Sequence, residues 1–100
     1  MKAPRDVVYL WDKEKNQKLV RDRGVSFEQI VFHLEQGHLV KISPGQGKYA
    51  HQKQFLVEVN RYIYIVPYVK EGADGVFLKT IIPSRKMTKQ FLGGIRHGEA

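Results

Sequence analysis

The run KQFLVEVNRYIYIVPYV, residues 53–69, decides the fold. Two segments dense in β-branched and aromatic residues, 53–59 and 62–69, flank the dipeptide Asn60-Arg61. Asn tolerates the positive φ that a two-residue turn requires, so the run reads as an antiparallel hairpin. On its N-terminal side, 38–43 has strand character and 44–52, opened by Pro44 and holding Gly45 and Gly47, reads as a loop. On its C-terminal side the turn Gly72-Ala73-Asp74-Gly75 leads to a strand over 76–82 that Pro83 stops.

The outer segments are helical. Val7 to Trp11 is a short strand-like run closed by Asp12, which can cap a helix running to about Asp22 with Gly24 as its stop. Ser26 and Gln29 form a Ser-x-x-Gln capping box for a second helix. Phe27, Ile30, Val31 and Leu34 give that helix a core stripe, and Gly37 ends it. Phe32 points away from the stripe and is expected to cover a loop or meet a partner. Ser84 caps a last helix carrying Met87 and Phe91, ended by Gly93-Gly94.

The expected architecture is α+β in one domain over 1–100, with 93–100 as a flexible tail. Two N-terminal helices and a C-terminal helix accompany a four-stranded, mainly antiparallel sheet with room for a short extra N-terminal strand. Simple hairpin registers place Tyr62, Tyr64, Val66 and Tyr68 on one face with Lys53, Phe55, Val57, Phe77, Lys79 and Ile81. The opposite face, with Leu56, Ile63, Ile65, Val69, Val76 and Leu78, is then the expected core.

Charge is the main functional signal. Seventeen Lys and Arg against ten Asp and Glu leave a net +7, which favours polyanionic partners. No acid occurs from Gln36 to Val57 or from Gly75 to Gly98, whereas six of the ten lie between Asp6 and Glu35. The two basic windows are expected to meet across one face of the sheet. The absence of cysteine removes disulfides, thiolate metal sites and a cysteine nucleophile, and fits a reducing compartment. No signal-peptide or membrane-spanning run is legible, so a soluble cytoplasmic protein without membrane partners is expected. The four histidines have no metal-ligand spacing, and neither metal nor cofactor is expected.

Three clusters can carry chemistry. Arg85 and Lys86 open the last helix, where free N–H groups and the macrodipole favour an anion. The tyrosine face with Lys53 and Lys79 can stack unpaired bases, or lie as a hydrophobic layer under a partner chain. The loop holding Lys48, Tyr49 and His51 supplies a general acid/base candidate in His51, which is also the lone histidine of an exposed loop. Gly45-Gln46-Gly47-Lys48 lacks the complete phosphate-loop pattern and is rejected as one.

With these residues in view, the chain resembles the BrnT-like toxins of bacterial type II toxin–antitoxin systems, within the wider RelE/ParE superfamily. The resemblance rests on Trp11-Asp12-x-x-Lys15-Asn16-x-x-Leu19, Arg23-Gly24-Val25-Ser26-Phe27-Glu28 and Lys48-Tyr49-x-x-Gln52. Tyr62-x-Tyr64-x-Val66-Pro67 and the segment from Phe77 to Lys86 complete it. It departs at Asp22-Arg23, where BrnT proteins usually carry Lys-His, and at Lys86-Met87, where they usually have Ala.

The resemblance implies a RelE-like fold, cleavage of messenger RNA free or on the ribosome, and neutralisation by a cognate antitoxin in a hetero-oligomer. The expected enzyme is a metal-independent endoribonuclease that inhibits translation and growth. Its expected catalytic residues are His51, Tyr49, Lys79 and Arg85, with Lys48, Lys53, Lys86, Lys89 and Tyr64 on the nucleic acid and Phe32, Tyr62 and Tyr68 on the antitoxin. Two alternatives stand beside it: a non-catalytic toxin against a protein target such as gyrase, and a plain nucleic-acid-binding accessory domain.

Overall fold

The computed structural model describes residues 7–45, 47–50 and 52–93, with the backbone alone at Tyr49. His51 and the tail beyond Gly93 lie outside the described residues. The elements follow as β1 (Val8–Leu10), α1 (Lys13–Arg23), α2 (Phe27–Glu35), β2 (Leu39–Pro44), β3 (Lys53–Val59), β4 (Tyr62–Glu71), β5 (Gly75–Leu78), β6 (Ile82–Pro83) and α3 (Arg85–Thr88). A 3₁₀ turn spans Gly47–Tyr49, and α3 continues as a π-helical turn over Lys89–Gly93. The α+β expectation is met.

The strands form one sheet in the order β1-β5-β4-β3-β2, with β6 also paired to β4. The N-terminal strand is real and lies parallel to β5 at the sheet edge, pairing Val8 with Gly75. The β3–β4 register matches the sequence reading, with Lys53 opposite Tyr68 and Val57 opposite Tyr64. Asn60 and Arg61 both take positive φ, 53° and 66°, as a two-residue turn that follows the sheet twist requires.

Local chemistry sets the helix ends. The Asp12 carboxylate accepts from the N–H groups of Glu14 and Lys15, and Gly24 closes α1 in the left-handed region at φ 70°. Ser26 Oγ accepts from Gln29 N–H at 3.0 Å and starts α2. Ser84 Oγ accepts from Met87 N–H at 3.1 Å and starts α3. Thr88 Oγ1 then accepts from Ile63 N–H at 2.8 Å, while Ser84 N–H donates to the Ile63 carbonyl at 3.0 Å. Those two bonds fasten α3 to β4 where β6 does not reach.

Three sequence expectations are corrected. The first concerns which face is core. Helices α1 and α2 lie over the face of Tyr62, Tyr64, Val66 and Tyr68: Leu19, Val25, Phe27, Ile30 and Leu34 form one cluster with Phe55, Val57, Val66, Tyr68, Val76, Leu78 and Ile81. Tyr68 is 8% exposed and stacks on Phe55 at 4.0 Å between centroids, while Tyr64 is half-buried against the same cluster. The second concerns register. Tyr68 pairs with Leu78 and Val69 with Phe77, so Leu78 and Val76, rather than Phe77 and Lys79, share the tyrosine face.

The predicted strand over 76–82 is also broken into β5 and β6. Tyr68 and Leu78 are partners on one side of the break, and Ile65 and Ile82 on the other, which leaves one extra residue between them. That irregularity returns Ile81 to the core face, where it is fully buried.

Candidate nucleic-acid interface

The second face of the sheet, away from α1 and α2, carries a cleft of about 410 Å³ under α3 and the turn that continues it. Its floor comes from the pairs Lys41–Leu56, Ser43–Gln54 and Leu56–Ile65, which period-two alternation brings to one face. Its wall comes from α3 and the π turn, through Lys86, Met87, Gln90 and Phe91. Of all the lining residues only Ile65 falls outside the two acid-free windows, and none is acidic. The expectation that the two basic stretches meet is therefore fulfilled in this groove. Lysine ammonium groups at either side can hold phosphates, Phe91 offers a ring for stacking, and the Gln54 and Gln90 amides offer donors and acceptors for base edges.

A second basic cleft, about 420 Å³, is lined by Lys15, Arg23, Lys79, Thr80 and Ile82. Lys15, Leu19 and Arg23 recur every four residues and so share one side of α1. Leu19 is buried at the core, and its two cationic neighbours on that side reach past it towards the irregularity between β5 and β6. Arg23 donates through Nη1 to the carbonyl of Ile81, and Lys79 Nζ lies 5.3 Å from the centroid of the Phe77 ring. The sequence reading missed Lys15 and Arg23; their spacing around the one buried residue of α1 was the available signal.

The residues picked from sequence are distributed rather than pooled. Lys86 lines the groove under α3, and Lys79 lines the α1 cleft. Lys53 lines a third, smaller cleft with Tyr68, Val69 and Lys70. Arg85 and Lys89 are exposed on α3 and the turn that follows it, and Lys48 is exposed on the 3₁₀ turn. His51 lies outside the described residues, as does the Tyr49 side chain. Tyr68 is buried and so is closed to docking in this fold, while Tyr64 is half-buried on the face that α1 and α2 cover. Tyr62 is half-buried and meets Tyr64 edge-on at 5.6 Å. Phe32 is exposed, as its position off the α2 stripe predicts.

One further cluster was invisible in the sequence. His33 and His38 approach with their Nδ1 atoms 2.7 Å apart, in a cleft completed by Glu58, Asn60 and Arg61. Burial pushes the His33 pKa down, the neighbouring His38 adds to that, and Glu58 opposes it. Among the described residues no three His, Cys, Asp or Glu side chains converge as a metal site, and no helix is long and apolar enough to cross a membrane.

No protein-family model matches the sequence, and no curated protein matches it. A solved structure does: the chain superimposes on the crystal structure of the Brucella abortus ribonuclease toxin BrnT with a TM-score of 0.61 and 20% identity, over 78% of this chain and 96% of that one. At that identity the likeness is one of architecture, and it agrees with the order of helices and strands described above. The chain has the α+β fold of a BrnT-like toxin.

Proposed function

We propose that this chain is the toxin of a type II toxin–antitoxin pair, a cytoplasmic endoribonuclease that cleaves messenger RNA and is held inactive by a cognate antitoxin. The observation that carries the reading is the groove under α3, whose lining contains Lys41 and Lys86 and no acid. A single RNA strand matches that chemistry: phosphates at the lysines, a base against Phe91 and amide contacts from Gln54 and Gln90. The BrnT-like fold supports the same direction.

Cleavage needs no protein nucleophile. A base takes the proton of the substrate 2′-OH, the oxygen attacks the adjacent phosphorus, and an acid protonates the departing 5′ oxygen. Cations stabilise the charge that builds on the phosphorane. In this reading Lys79 and Arg85 serve the phosphate, with Lys15 and Arg23 joining Lys79, while His51 or Tyr49 moves the proton. Lys48, Lys53, Lys86 and Lys89 hold the strand, and Phe32 and Tyr62 meet the antitoxin.

Arg23 favours a second reading. It stands where BrnT proteins usually carry His, and guanidinium does not exchange protons near neutral pH. With that departure from the BrnT pattern, the chain also suits a non-catalytic toxin acting on a protein target such as gyrase. Expression of the chain alone, with mapping of RNA ends and of DNA breaks, separates the two. The ribonuclease reading expects new RNA ends that disappear with Lys41→Glu/Lys86→Glu and Arg85→Ala. Intact RNA beside broken DNA would overturn it.

A further inference from the structure

The His33–His38 cleft takes no part in the proposed reaction. We propose that it binds a transition-metal dication of the Zn²⁺ or Cu²⁺ class between the two imidazole Nδ1 atoms. Ring nitrogens 2.7 Å apart are joined either by one shared proton or by a cation, because two bare lone pairs at that distance repel. A metal in place of the proton needs the nitrogens about 3.3 Å apart, given metal–nitrogen bonds of about 2.0–2.1 Å in a tetrahedral shell. His38 is exposed, so a small rotation of its side chain supplies the widening.

The backbone carrying the two rings is already fixed. His38 N–H donates to the His33 carbonyl at 2.9 Å, and the His38 carbonyl accepts from Glu58 N–H at 3.0 Å. Phe32 braces the His33 ring edge-on at 5.3 Å. The charged groups facing the pair are Glu58 from β3 and Arg61 from the turn, one of each sign. With two protein donors and open positions for water, imidazole chemistry selects Zn²⁺, Cu²⁺ or Ni²⁺ over the oxygen-seeking Mg²⁺ and Ca²⁺. Residue spacing did not reveal the site because the ligands lie five apart, across the end of α2, where helical periodicity no longer applies.

The test is titration of the untagged 100-residue chain with ZnCl₂ and CuCl₂, followed by calorimetry and by nitrogen hyperfine structure in the Cu²⁺ EPR spectrum. One ion per chain is expected, with two coupled nitrogens and no competition from excess Mg²⁺. His33→Gln and His38→Gln should each weaken binding at least about tenfold, and the His38 variant, altered at an exposed position, should keep the parental circular dichroism. His51→Gln and His97→Gln should bind as the parent does. Undiminished binding in both His33→Gln and His38→Gln, or no saturable binding by the parent at millimolar metal, overturns the proposal. RNA cleavage enters neither readout, so the site stands or falls independently of the toxin assignment.

Discussion

The Asn16 carboxamide oxygen accepts from the backbone N–H of Phe27 at 2.7 Å, tying the middle of α1 to the first residue of α2. Phe27 is fully buried and its ring stacks on Trp11 at 5.7 Å, so the bond anchors the innermost aromatic of the helical layer. The same carboxamide donates through Nδ2 to Glu28 Oε1 at 2.7 Å, which holds the Glu28 carboxyl below its ordinary pKa. Asn16→Ala leaves a partly buried N–H without its acceptor and should cost about 1–3 kcal/mol in urea unfolding. Asn16→Asp keeps the acceptor but sets it against Glu28; it should fall between parent and Ala at pH 7 and recover as Glu28 is protonated.

The Phe55–Tyr68 stack makes the covered tyrosine face testable. Tyr68→Ala removes a buried ring and should cost about 3–5 kcal/mol, while Tyr68→Phe should stay within about 1 kcal/mol of the parent. If Tyr68→Ala unfolds at the parental urea concentration, the ring is not in the core and the assignment of faces is wrong.

Much of the fold was legible because each local signal agreed with its neighbours. Asp12, Ser26 and Ser84 announce three helix starts, Asn60-Arg61 announces the hairpin, and all four perform those roles. The inner and outer faces were not legible, since β3 and β4 carry large apolar groups on both sides. Phe55 and Val57 are buried beneath the helices, and Leu56 and Ile63 are buried on the opposite face, where α3 is fastened. Nothing local distinguishes burial under a helix from burial under the other layer. The second hairpin slipped by one residue for a similar reason: Gly72 takes φ 72°, and a Cβ on Gly75 would meet the Glu71 carbonyl oxygen at 2.2 Å, so the turn closes one step away from the simple register. The basic groove could be anticipated from the acid-free windows, whereas Lys15 and Arg23 come to Lys79 only through the tertiary fold.

Acid should weaken the fold through His33. Its pKa is lowered by burial and by His38, so the folded state holds fewer protons there than the unfolded chain, whose histidine titrates near about 6.5. Its contribution is whole above that value and is lost as pH falls through the lower folded value. The urea midpoint should therefore drop between pH 7.5 and pH 5, and His33→Gln should drop less over the same interval.

The groove predicts a particular dependence on salt. Lys41→Gln and Lys86→Gln should each lower RNA affinity across sequences and reduce the slope of log K against log salt by about 0.7, the value for one contact to a single strand. Lys18→Gln, exposed on α1 and outside either basic cleft, should change neither. A slope unaltered by both groove variants would move the RNA away from α3.

Arg23 separates the roles of charge and proton transfer in the α1 cleft. As a guanidinium bonded to the Ile81 carbonyl it supplies a planar cation beside Lys15 and Lys79. Arg23→Lys keeps the charge but gives up the planar donor, so it should retain more activity than Arg23→Ala. Arg23→His installs the residue that BrnT proteins usually carry there, one that titrates within the physiological range. Should the cleft act on the scissile phosphate, Arg23→His should add one further ionisation to the pH–rate profile, beside that of the residue that moves the proton. Parental rates and an unaltered profile in all three variants would remove this cleft from the reaction and leave catalysis to the groove under α3.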